Sequence, residues 1–92
     1  GAPYAATPLG YQQITSLGTA TGFASVPAGA TFCSITTEGN GIRYRDDGTN
    51  PTASVGMLVL AGTANWVYSG SLSAIKFIQI ASGAILNVSF YK

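Results

Sequence analysis

Apolar and polar residues alternate over short stretches of this chain and never settle into the three- and four-residue spacing of a helix. The last stretch is the clearest: Leu86, Val88 and Phe90 fall on one side, and Asn87, Ser89 and Tyr91 on the other. That period of two marks a strand with one face in a core. Ile42 and Tyr44 oppose Arg43 and Arg45 in the same way. Read along its length, the pattern predicts strands over residues 11–15, 22–26, 31–38, 41–46, 53–60, 65–69, 74–81 and 84–91. Gly, Pro, Ser, Thr and β-branched residues recur every few positions and argue against helix throughout.

Turn chemistry separates these stretches. Pro27-Ala28-Gly29 suits a β-turn with Pro at i+1, Gly39-Asn40-Gly41 a tight hairpin with positive φ, and residues 46–51 a longer hairpin loop. Ala61-Gly62 and Ser82-Gly83 close two more. About eight short antiparallel strands at this spacing predict an all-β domain, as a two-sheet sandwich, jelly roll or small barrel, among which periodicity does not choose. Residues 1–10 hold two Pro and two Gly and read as an extended N-terminal arm, with Tyr4 and Leu9 as the side chains that tie it down; residues 11–92 form the single β domain.

Two strands break the alternation. Residues 74–81 place Ile75 and Phe77 on one face but Ile78 and Ile80 on the other, and residues 57–60 are apolar on both. Strands of that kind need cover on both faces. In an antiparallel domain of 92 residues the second apolar face is a candidate contact between subunits.

Composition sharpens the picture. Only 8% of residues are charged, against about 25% in ordinary soluble domains. The chain is nonetheless 47% hydrophobic with ten aromatic residues, five Tyr, four Phe and a Trp, so it has the material for a core and is not disordered by composition. A net charge of +1 offers neither a basic face for nucleic acid nor an acidic one for cations. The longest apolar run, Met57 to Ala61, is far short of a membrane-spanning helix. One Cys forms no internal disulfide, and Cys33 lies among alternating apolar positions where a small buried hydrophobe fits.

Candidate chemistry is sparse. With no His, a Ser or Thr nucleophile lacks its usual base, zinc lacks ligands, and no phosphate-binding glycine motif occurs, so no catalytic, cofactor or metal residues are assigned. The densest polar cluster runs from Arg43 and Arg45 into Asp46 and Asp47, where two guanidinium groups on one strand face can pair with carboxylates of this chain or of a neighbour. Trp66 and Tyr68 flank Val67 and therefore share a face, a core position in one reading and a stacking platform for sugars in another.

The segments VPAGA (26–30), Glu38-Gly39, IRYRDDGTNPTASVGM (42–57), GSLSAIKFI (70–78) and LNVSFY (86–91) resemble a family of small proteins encoded in tailed-bacteriophage and prophage genomes. The resemblance covers roughly residues 11–91, with RYRDDGTNPTASVGM its most specific part. It implies a virion structural protein, a capsid decoration or cement component working without catalysis as a homo-oligomer, with a trimer favoured and a phage capsid or other virion protein as partner. No nucleic acid, membrane or cofactor is implied. The expected fold is a jelly-roll-like antiparallel β-sandwich. In this reading Tyr4, Leu9, Arg43, Arg45, Asp46 and Asp47 make the contacts between subunits or with the shell. The competing reading is a glycan- or receptor-binding module of a tail fibre or host-associated protein, using Trp66, Tyr68 and the 46–51 loop.

Overall fold

A computed structural model describes residues 5–92, so Tyr4 lies outside the described residues. Seven strands form two antiparallel sheets: β1 (Pro8–Ile14), β2 (Phe32–Glu38), β3 (Ile42–Arg45), β4 (Met57–Val59), β5 (Trp66–Tyr68), β6 (Lys76–Gln79) and β7 (Ile85–Tyr91). One sheet runs β1-β7-β2-β5 and the other β4-β3-β6. The domain is an all-β sandwich.

The predicted strand at 22–26 is not one. The one bridge nearby, Thr21 to Phe77 of β6, falls just before it, and the stretch itself acts through a side chain. Phe23 inserts between the sheets, edge-on to Phe90 at 5.0 Å and tilted against Phe77 at 5.3 Å between ring centroids. Gln12 holds the segment in place, its Nε2 donating to the Ser25 carbonyl and its Oε1 accepting from the Ala24 amide, both at 2.8 Å. With amide and carbonyl bound to a side chain, the segment gains satisfied polar groups without a ladder.

When the Thr21 bridge is counted as a vestigial strand, the pairings nest: β1 with β7, Thr21 with β6, β2 with β5, β3 with β4. This is one long hairpin, its tip between β3 and β4, wound until β7 meets β2 and β6 meets β3. Such winding is the jelly roll. It also corrects the turns. Among the described residues only β3–β4 is a hairpin; the Gly39-Asn40-Gly41, Ala61-Gly62 and Ser82-Gly83 turns each carry the chain from one sheet to the other. At the 27–30 turn the Ala30 amide donates to the Pro27 carbonyl at 3.1 Å, which makes Pro27 the first residue. Gly29, at φ 84°, occupies the third position, where a positive φ is required.

The arm is shorter than its composition suggested. β1 starts at Pro8, and the Thr7 and Lys92 backbones exchange hydrogen bonds of 2.9 and 3.0 Å, so residues 7–10 are paired to the chain's own last strand. The register slips between Pro8 and Gly10, leaving Leu9 as the extra residue of a bulge, packed against the core.

Between the sheets lie Leu17, Cys33, Ile35, Ile42, Ile75, Phe77, Leu86, Val88 and Phe90, all without solvent exposure, with Tyr68 and Leu72 at the margin. The alternation in β2, β3 and β7 fixes this: odd positions of β2 and even positions of β7 point inward.

Candidate functional site

The polar cluster expected from sequence is engaged within the chain. Arg43 and Arg45 lie on the outer face of the three-stranded sheet, opposite the inward Ile42 and Tyr44, because side chains alternate along β3. Arg43 donates from Nε to the Ala53 carbonyl at 3.1 Å and from its terminal nitrogen to the Gly56 carbonyl at 2.9 Å. Its fork thereby braces the loop joining β3 to β4. Arg45 makes a bidentate pair with Asp47, at 3.0 Å from Nε to Oδ1 and 2.6 Å from the terminal nitrogen to Oδ2. This pairing holds the Asp47 carboxyl below its usual range and raises the Arg45 guanidinium further. Both groups are solvated, so the pair sets loop geometry more than it stabilises the fold.

Asp46 turns the other way. Its Oδ2 accepts from the Tyr68 hydroxyl at 2.6 Å, tying the β3–β4 loop of one sheet to β5 of the other. Burial, then the Asp46 hydrogen bond, pushes the Tyr68 hydroxyl well above the usual tyrosine range. Beside these groups lies a hollow of about 340 Å³ lined by Arg45, Asp46, Asp47, Val55, Gly56 and Met57. Arg45 and Asp47 neutralise each other there, and the neutral Tyr68 hydroxyl engages one Asp46 oxygen without cancelling its charge, so the hollow holds no unpaired cation for an anionic ligand.

Trp66 and Tyr68 share a face, as their spacing indicated, and that face points inward. The Trp66 ring stacks on Tyr44 at 5.2 Å and 22°, Tyr68 is 8% exposed, and Val67 between them stands 63% exposed on the outside. The rings join core to sheet and leave no open stacking platform. Trp66 Nε1 is buried without a hydrogen-bond partner among the described residues.

Cys33 is fully buried, and that burial raises its thiol to about 11 against an opposing hydrogen bond with the Tyr68 backbone. A thiol so placed is inert packing. Among the described residues no three His, Cys, Asp or Glu side chains gather into a metal-binding group, and no helix is long and apolar enough to cross a membrane.

The surface that sequence reasoning located only in part is β4. Met57 and Leu58 are 60% and 49% exposed, with Val55 at 54% before the strand and Leu60 at 58% after it. β4 pairs with β3 on one side and, among the described residues, has no partner strand on the other. Met57 lies opposite the inward Tyr44 and yet is open, because β4 is the outer strand of its sheet. The apolar run was visible in sequence; its edge position came from the fold. No family model, curated protein or solved structure matches this chain.

Proposed function

We propose that this chain is a bacteriophage virion structural protein, a capsid decoration or cement protein that associates with copies of itself and stabilises the particle by surface contact rather than by chemistry. The observation that carries the reading is the β4 edge. Soluble proteins blunt exposed edge strands with charge, proline or a covering loop, because unpaired amides and carbonyls beside apolar side chains template association. Here Val55, Met57, Leu58 and Leu60 stand open along such an edge, and no charged residue occurs between Asp47 and Lys76.

The absence of charge favours copies of the same chain as the cover. Around a rotation axis like meets like, so a charge near the axis repels its own image, whereas neutral apolar residues do not. The engagement of Arg43, Arg45, Asp46 and Asp47 within the chain supports a contact built on β4 rather than on intersubunit salt bridges. The jelly-roll winding recurs in viral capsid domains, an analogy of fold alone. The resemblance of residues 11–91 to small virion proteins supplies the phage setting and the trimer.

Native mass by light scattering over a dilution series tests the reading. The expected result is an oligomer, of three chains, that persists on dilution and adds to purified phage capsids. A 9.4 kDa monomer at every concentration that also leaves capsids unbound overturns it.

A further inference from the structure

The outer face of the four-stranded sheet gathers aromatic rings, amides and hydroxyls around a groove whose lining holds no charged group, Glu38 lying beyond Thr36 at the end of β2, and the register explains its shape. Ser89 of β7 lies opposite Ser34 of β2 on one side and Tyr11 of β1 on the other, so two small side chains form a floor beside a ring. Val67 of β5 faces Ser34 from the far edge. Two residues along in one direction, Phe32 and Tyr91 stack at 5.3 Å and 13°; two residues along in the other, Thr36 lies opposite Asn87. The result is a groove of about 290 Å³ with serines below and taller side chains around.

Its polar groups are oriented before anything binds. Asn87 Oδ1 accepts from the Tyr11 hydroxyl at 2.7 Å and from Gln13 Nε2 at 3.0 Å. Both acceptor directions of that oxygen are thereby used, and the Asn87 amide nitrogen takes no partner among the described residues, leaving it as a fixed donor. Asn65 Nδ2 donates to Ser34 Oγ at 2.9 Å, which leaves the Asn65 oxygen as an acceptor and the Ser34 hydroxyl hydrogen as a donor. Tyr11 is 65% exposed although its hydroxyl is bound.

We propose that this groove binds a neutral saccharide. A charged ligand would meet no counter-charge there, and a purely apolar one would strip water from hydroxyls and amides without replacing their hydrogen bonds. A sugar ring supplies both needs at once, hydroxyls around its rim for the serine and amide groups and a C–H face for the Tyr11 or Tyr91 ring. The groove is on the opposite surface of the sheet from Trp66 and Tyr68, and it is separate from the β4 edge, so it operates in a monomer or an oligomer alike.

The test is an amide-correlation NMR titration of labelled protein with neutral malto-, cello-, chito- and galacto-oligosaccharides at millimolar concentration. The expected result is saturable shifts at Tyr11, Ser34, Asn87 and Ser89 with at least one series. Tyr11→Ala is expected to weaken that binding about tenfold or more, and Ser34→Leu, which fills the floor of the groove, to abolish it. Lys76→Gln in β6 of the other sheet leaves it unchanged. No shifts from any of the four series, shifts confined to the Arg45–Met57 hollow, or undiminished binding by Tyr11→Ala overturns the proposal. None of these outcomes bears on self-association, which the native mass reads separately.

Discussion

Thr37 is 3% exposed in β2, and its hydroxyl has no hydrogen-bond partner among the described residues. A buried hydroxyl without a partner forfeits the bonds it made to water, at a cost of about 1–3 kcal/mol. Valine has nearly the same shape and suits a strand, so Thr37→Val should leave stability unchanged or raise it by about 1 kcal/mol, read from urea denaturation midpoints. A loss of stability would mean that the hydroxyl is satisfied in solution. Cys33 gives a second test at this scale, with a worked sign. Its thiol titrates near 9.0 when unfolded and near 11 when folded. Because the folded value is raised, the contribution is complete below pH 9 and is lost as pH climbs through 11. Between those limits the wild-type protein should lose more stability than Cys33→Ala, a comparison that cancels the tyrosines titrating in the same window.

At the scale of elements, turns decide where each strand goes. Gly39 ends β2 at φ 79°, and a Cβ added there would run into the Gly83 carbonyl oxygen, in the turn that leads to β7. Gly48 has a similar φ, 89°, with open space around it. Gly39→Ala therefore combines backbone strain with a clash against backbone that cannot step aside, and should cost about 3 kcal/mol or more; Gly48→Ala carries the strain alone, about 1 kcal/mol. Thermal melts of the two variants separate these terms. Glycine and alternation were legible in the sequence for just this reason: each reports a local backbone state. What the turns joined was not. Gly39-Asn40-Gly41 has the composition of a hairpin, and the β2–β3 connection nonetheless changes sheets, because partner choice rests on pairings such as β2 with β7 that are remote along the chain. Residues 22–26 failed as a strand for a similar reason, since Phe23 is held between Phe77 and Phe90 and its neighbours are bonded by Gln12. The candidate site was legible to the same degree. Arg43 and Arg45 stood together on one face as read, while their partners, Ala53, Gly56 and Asp47, depended on how the β3–β4 loop closed.

For the whole molecule, the proposed self-association raises the question of which forces would hold copies together. Seven charges were available for intersubunit pairing, and the Arg43–Asp47 cluster was the expected place. Those groups are engaged internally, and the open apolar surface lies on β4 beside them. The two possibilities respond oppositely to salt. Ion pairs at a rim weaken as the Debye length falls from about 10 Å at 0.1 M to about 3 Å at 1 M. Apolar contacts do not, and sulfate strengthens them. Self-association should therefore be unchanged in sodium chloride and tighter in sulfate. Leu58→Asp would add the reverse effect: Leu58 is 49% exposed, so the monomer should fold within about 0.5 kcal/mol of wild type, while each copy brings a carboxylate to its own image near the axis. Its association should fall by about two orders of magnitude at low ionic strength and recover in part with added salt. An oligomer that dissociates in sodium chloride and ignores Leu58→Asp would return the contact to the charged loop, and would require Arg45 to release Asp47 on assembly.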